Sequence, residues 1–213
     1  MKESHVARFL ITAGPTREFI DPIRFISNCS SGKMGYALAE AALAVSPHVV
    51  LVSGPTALVP PPGVEFVSVT TAQEMADAVL PRFEQCDVAI MAAAVCDFRP
   101  ADTAALKIKK ANFDGTLHLA PTIDILAELG KRRKSQVLVG FAAETDDLER
   151  NALDKLQRKQ LTLIVANEAS AFEADTNAVT LFGRDGKPER LPEMPKAHVA
   201  AAIIRRILPL VGL

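Results

Sequence analysis

Three stretches of the chain combine residue types that could bind and activate an anionic substrate. The first reads GPTREFIDPIRFISNCSSGKMG and ends on Ser30, Ser31, Gly32 and Gly35, where a helical pattern begins. The free N–H groups and the dipole of a helix start make an anion site. The glycines would let a phosphate or carboxylate approach closely. The plainer alternative is that Ser-Ser-Gly caps the helix and the glycines relieve packing. This is not a G-x-G-x-x-G turn, because Gly14 lies far upstream of Gly32. Arg17, Arg24 and Asn28 in the same polar loop favour a ligand site.

Asp97 follows the apolar run Asp87–Val95. A carboxylate there orients a ribose hydroxyl or a metal-bound water, or is an ordinary turn residue. The run Lys107-Ile108-Lys109-Lys110 is either solvated surface or a source of cations for phosphoryl chemistry. If extended, Lys107 and Lys109 share one face and Lys110 the other. Lys155 and Lys159, with Arg158 near, lie one helical turn apart. They either reach a triphosphate or form an exposed basic helix end. The four histidines lack metal spacing, and neither G-x-S-x-G nor a Walker A motif occurs. Cys29 and Cys96 have no base beside them and read as small packing residues. The inventory is cations, N–H donors and one carboxylate, without a nucleophile. It suits an enzyme that positions substrates so that they react with each other.

The elements that would hold these groups alternate as β-α-β units around a parallel sheet. The expected strands are Arg8–Ala13, His48–Ser53, Glu65–Thr70, Asp87–Val95, Gln136–Ala143 and Leu161–Ala166. A helix follows Ser31, with Met34, Leu38, Ala41 and Val45 on one face. Thr71 to Glu74 forms a capping box for the next helix. Thr145 caps a helix whose first turn is acidic and whose last turn is basic. An amphipathic helix closes the chain. Ala178–Phe182 and Glu189–Leu191 flank a turn at 184–187, an antiparallel hairpin at one sheet edge. Residues 14–31 and a flap at about 98–120 break the alternation. Both follow buried strands, at the end of the sheet where such folds bind ligands.

The 213 residues suit a single domain over 1–213; 49% are hydrophobic, enough for a real core, and the net charge is -1. No global basic field draws the chain to nucleic acid or membrane, and no apolar stretch is long enough to span a bilayer. Three unpaired cysteines fit a reducing, cytoplasmic setting.

In the order and spacing of ITAGPTREFIDPIRFISNCSSGKMG, LVSGP, AAAVCDFRP, KIKK, VGFAAET and ANEAS, the sequence resembles bacterial phosphopantothenate–cysteine ligases of coenzyme A biosynthesis over nearly its whole length. The resemblance implies an α/β, Rossmann-like three-layer fold with a mostly parallel sheet and an antiparallel edge hairpin. It implies a homodimer acting on 4′-phosphopantothenate, cysteine and a nucleoside triphosphate. The nucleotide would be CTP, or ATP, with Mg²⁺ and without flavin. The carboxylate attacks the α-phosphate, pyrophosphate leaves, and the amine of cysteine then attacks the acyl-nucleotide.

Carried over by position, Asn28 serves the second step and Lys107 the first. Arg24, Asn28, Ser30, Ser31 and Gly32 bind substrate, with Arg24 possible from a partner subunit. Ala94, Asp97, Lys107, Phe141, Lys155 and Lys159 contact the nucleotide, as does the turn Pro121-Thr122-Ile123-Asp124. That turn commonly reads Asn-Pro-Asp-Ile in the family and reads Ala-Pro-Thr-Ile here, which loosens the expectation of CTP over ATP. Cys29 and Cys96 stand where His and Ala are expected. Relatives often carry a flavin-dependent decarboxylase domain ahead of this one, so the chain reads as a stand-alone synthetase or an excised domain. Two rivals remain: an NAD(P)-dependent oxidoreductase and a non-catalytic nucleotide sensor. The first expects an acidic residue ending the second strand, where Ser53-Gly54-Pro55 stands.

Overall fold

A computed structural model describes residues 6–144, 147–168, 174–184 and 187–212. Short β-branched and aliphatic runs form a mostly parallel eight-stranded sheet, whose strands lie in the order Pro188–Pro195, Thr176–Gly183, Leu163–Glu168, Val137–Glu144, Val88–Met91, Phe9–Ala13, Val49–Ser53 and Glu65–Ser68. Its parallel members are β1 (Phe9–Ala13), β4 (Val49–Ser53), β5 (Glu65–Ser68), β6 (Val88–Met91), β9 (Val137–Glu144) and β10 (Leu163–Glu168). The hairpin β11 (Thr176–Gly183) and β12 (Pro188–Pro195) adds two antiparallel strands at one edge. It is longer than its expected core; residues 185 and 186 of the expected turn lie outside the described residues.

Successive side chains of a strand face opposite sides, and the two cores follow that period. Phe9, Ile11 and Ala13 pack with α1 (Lys33–Leu43) and α5 (Lys196–Ile207) on one face. Leu10, Ala89 and Ile164 pack with α2 (Ala72–Phe83) and α4 (Leu148–Arg158) on the other. The fold is therefore three-layered, α/β and Rossmann-like.

Four details differ from the expectations. The strand expected over Asp87–Val95 ends at Met91, because the Ala94 amide and carbonyl bond instead to Gly14 O (2.9 Å) and Thr16 N (3.1 Å). The buried face of α1 runs through Gly35, Leu38, Ala39 and Ala42, one residue round from the expected stripe, and Val45 is exposed. The strand expected over Glu65–Thr70 ends at Ser68 and is a largely exposed edge. An additional helix, α3 (Ile125–Arg132), starts at Asp124, whose carboxylate accepts from Ala127 N at 2.9 Å. The Thr71 capping box is present as expected. Thr145 lies outside the described residues, and Asp147 precedes α4.

The two irregular stretches carry small sheets of their own. Residues after β1 form the hairpin β2 (Arg17–Phe19) and β3 (Phe25–Ser27). The flap begins with β7 (Phe98–Pro100), returns as β8 (Leu119–Pro121), and has a 3-10 turn at Lys110–Asn112.

Candidate functional site

From β1 the chain passes to β4 and β5 on one side of the sheet, then returns to β6, β9 and β10 on the other. That reversal opens a crevice at the carboxyl ends of β1 and β6, where open α/β sheets bind ligands. Residues 92–97, the continuation of β6, are clamped there by the end of β1 and the loop after it. Ala93 N donates to Thr12 Oγ1 (3.1 Å) and Cys96 N to Thr16 Oγ1 (2.9 Å). Residues 92–95 are left half-buried, and they form the wall between two cavities.

The larger cavity has a volume of about 790 Å³. Asp97, Pro121, Thr122, Ile123 and Asp124 line one side, and Phe141, Lys155 and Lys159 the other. Flap and sheet are tied together at this point, since Thr122 N donates to Asp97 O at 2.9 Å. Lys155 Nζ donates to Phe141 O (2.8 Å), which aims the ammonium across the end of β9. Lys159 is buried and pairs with Asp124. Burial alone would raise the Asp124 pKa. The Lys159 ammonium and the Ala127 amide outweigh it, so the carboxyl is held below its ordinary range. Asp97 is exposed and faces the open space.

The second cavity, about 390 Å³, shares Ala93, Val95, Asp97, Phe141 and Lys155 with the first. Its rim carries Asn28, Ser30, Ser31, Gly32 and Ala94. Asn28 Nδ2 donates to Ala94 O at 3.0 Å, so the side chain is anchored at the wall. Gly32 starts α1 with φ 78°, a left-handed conformation that favours glycine. Gly35 has a different task. A Cβ there would meet Ala13 Cβ at 2.4 Å and Thr12 O at 2.9 Å, so Gly35 lets α1 press onto β1. Of the two readings of these glycines, packing holds for Gly35.

The two cavities thus bring together all the expected site residues except Arg24 and Lys107. Those two line neither cavity. Asp21, fully buried, collects Ile23 N and Arg24 N (both 2.9 Å), Arg24 Nε (3.0 Å) and Ile108 N of the flap (3.1 Å). The Arg24 guanidinium beside it holds its carboxyl well below the usual carboxylate range. Arg24 Nη2 also donates to Ile108 O at 2.9 Å, so the β2–β3 hairpin holds the base of the Lys107–Lys110 run. Lys107 itself is exposed. Cys96 is buried, which pushes its thiol pKa up, whereas Cys29 is exposed.

Sequence reasoning missed Asn151 and Asp154 in the first cavity, and Lys33, Asn167, Asn177 and Lys196 in the second. The α4 pair was legible from the helical spacing that also brings up Lys155 and Arg158. The others come from distant elements and carry no common local signal.

The sequence profile described as DNA/pantothenate metabolism flavoprotein C-terminal domain matches residues 5–210. The chain belongs to this family. The chain is 50% identical over 206 residues to the coenzyme A biosynthesis bifunctional protein CoaBC of Bacillus subtilis (strain 168), covering 94% of this chain and 51% of that protein. It is 48% identical over 210 residues to a cysteine/cysteine sulfinic acid decarboxylase of an unknown prokaryotic organism, covering 96% of this chain and 58% of the other. The chain therefore spans about half the length of these curated relatives. Among solved structures, the C-terminal domain of a coenzyme A biosynthesis bifunctional protein CoaBC superposes with a TM-score of 0.85 at 44% identity, covering 97% of this chain and 96% of that one. The twin cavities of this DNA/pantothenate metabolism flavoprotein C-terminal domain lie at the switch point of a sheet shared with that structure. Among the described residues, no helix is long and apolar enough to cross a membrane.

Proposed function

We propose that this chain is a phosphopantothenate–cysteine ligase of coenzyme A biosynthesis, working through an acyl-nucleotide in a cytoplasmic setting. The observation that carries the reading is the wall shared by the two cavities. A nucleotide in the larger cavity and an acyl carboxylate beside Asn28 in the smaller one meet across Ala93–Asp97. Holding two reactants in contact in this way is worth several kcal/mol of barrier. The similarity to the coenzyme A biosynthesis protein of Bacillus subtilis and to the 44%-identical domain structure supports the same reading.

In the first step the 4′-phosphopantothenate carboxylate attacks the α-phosphorus of the nucleoside triphosphate, CTP by preference, and pyrophosphate leaves. Lys155, Lys159 and the flap Lys107 supply positive charge against the phosphates. Asp97 would orient the ribose. Mg²⁺ is bound by few carboxylates and mainly by phosphates. Asp97, exposed at the cavity, is a carboxylate that would meet the ion there. Bound there, the ion would offset phosphate charge. In the second step the amine of cysteine attacks the acyl carbon and the nucleoside monophosphate leaves; Asn28, fixed on Ala94 O, positions the acyl group for it.

Arg24 and Lys107 lie off the cavities, and the same region exposes Ile23, Phe25, Phe98, Leu106, Phe113 and Leu119. We read this apolar region as the surface that a second copy covers in a homodimer, completing the site with Arg24 from the partner. Sedimentation of the purified chain should give a dimer; a monomer at assay concentrations would contradict this part.

The function is tested by pyrophosphate release. It should require CTP, Mg²⁺ and 4′-phosphopantothenate together, with cysteine needed for turnover, and parallel runs with ATP read the base preference. Absence of release would sink the ligase reading, as would tight NADPH binding. Asn28→Asp should still form the acyl-nucleotide and pass it poorly to cysteine; Lys107→Ala should fail before it forms.

A further inference from the structure

Asp21 stands in the turn of the β2–β3 hairpin, ahead of Pro22, and is fully buried. Burying a charge is costly unless it is paired and hydrogen-bonded. Here the two carboxylate oxygens have separate tasks. Oδ1 accepts from Ile23 N and Arg24 N, both at 2.9 Å, and so closes the hairpin turn. Asparagine would close such a turn equally well. Oδ2 accepts from Arg24 Nε (3.0 Å), from Arg24 Nη2 and from Ile108 N of the flap (3.1 Å). These three donors call for a carboxylate, because asparagine would meet them with an N–H₂ group of its own. The Arg24 guanidinium keeps the group well below the ordinary carboxylate range, so it is charged at neutral pH.

The hairpin and the flap meet at two further points. Thr103 Oγ1 donates to Phe19 O and Ala104 N to Ile20 O, each at 3.0 Å. Lys107 lies between Ala104 and Ile108, so both ends of its short span are fastened to the hairpin. On its other side the hairpin runs through β3 to Asn28. Ser27 Oγ donates there to Thr16 O (2.8 Å), and Thr16 Oγ1 accepts from Cys96 N of the cavity wall (2.9 Å). Hydrogen bonds thus lead from the wall, through the hairpin, to the base of Lys107.

We propose that Asp21 is a positioning residue of the ligase reaction. Its second oxygen fastens the flap that carries Lys107 to the hairpin that carries Arg24 and leads into Asn28, and so sets the cation of the first step relative to the acyl substrate. The proposal rests on the ligase reading, and on the roles given there to Arg24 and Lys107, and deepens it. Asp21 touches no substrate. It acts through Ile108 and Arg24, and it holds as one unit the two site residues that line neither cavity.

The test uses the full chain. Asp21→Asn leaves an oxygen for the turn and an N–H₂ group for the flap side. Pyrophosphate formation from CTP or ATP with 4′-phosphopantothenate, without cysteine, should fall about 100-fold, as a misplacement of about 1 Å does. KM for the nucleotide should stay near the wild-type value, since Phe141, Lys155 and Lys159 line its cavity without help from Asp21. In a Lys107→Ala background, with the residual rate read at high enzyme concentration, Asp21→Asn should take away little more. A wild-type rate for Asp21→Asn would overturn the proposal. So would a loss that multiplies in full with that of Lys107→Ala, because Asp21 would then act through the fold at large. If Asp21→Asn fails to fold by circular dichroism, Ile108→Pro removes the flap's donor and leaves Asp21 in place. It should show the same first-step loss, and a wild-type rate there would equally refute the role. Wild-type protein that forms no pyrophosphate would instead overturn the ligase reading.

Discussion

Gly35→Ala sets two known effects against each other. In the interior of a helix, Gly to Ala gains about 1 kcal/mol of helix propensity. Here the added Cβ would sit 2.4 Å from Ala13 Cβ and 2.9 Å from both Ala13 Cα and Thr12 O, none of which is the end of a flexible side chain. Ordinary contact begins near 3.4 Å, so α1 must back away from β1 by about 1 Å. Overpacking of this kind costs about 1–3 kcal/mol, and backbone neighbours put it at the upper end. The net expectation is a loss of about 1–2 kcal/mol. For a chain of this size that is a fall in Tm of roughly 2–8 °C, read by scanning calorimetry. The same shift carries Ser30, Ser31 and Gly32 away from Ala94, and a 1 Å misplacement costs about 100-fold in rate. Adding Ala13→Gly removes the nearest atom and should restore part of both losses. A Gly35→Ala protein that is about 1 kcal/mol more stable and fully active would refute the packing argument, because propensity alone would then decide.

Two further outcomes follow from the site. Asp21→Asn replaces an acceptor facing five N–H donors with an amide. The Ile108 amide should lose hydrogen-exchange protection while the sheet keeps its own. Because the folded Asp21 pKa lies below its ordinary value, its contribution is present above the unfolded pKa of about 4 and is lost as pH falls from there. Flap protection in the wild type should fade with acid, and in the variant it should not change; equal acid sensitivity would count against the Asp21 latch. Of the three thiols, Cys29 alone should react quickly with a disulfide reagent in the native protein at pH 8, since burial pushes Cys86 up to about 12 and raises Cys96 as well. Rapid labelling of Cys96 as well would show that residues 92–97 open readily.

Elements were legible wherever a local period or cap decided them. The inner parallel strands show as aliphatic runs because both of their faces are covered, and Thr71 with Glu74 marks a helix start by two reciprocal bonds within four residues. Asp124 followed by Ile125, Leu126 and Leu129 held the same kind of signal for α3. Strand ends were less legible. The apolar run to Val95 continues past Met91, yet the backbone turns to bond with the loop after β1, a choice made by distant atoms.

By itself the sequence determined the three-layer alternation, the ligand end of the sheet and, through its resemblance, the roles to expect of Asn28, Lys107 and the α4 lysines. Hydrophobic periodicity and motif order are local properties, and local properties can be read along a chain. Only the tertiary structure decided that Asn28 hangs on Ala94 O, that Gly35 serves packing, and that Asp21 binds Ile108 across 87 positions. Only it brought Lys33, Asn177 and Lys196, from three separated elements, to the floor of one cavity. Hydrogen bonds and buried charge act over a few ångströms of space, and the chain brings those residues within such distances only when the sheet and its helices close around them.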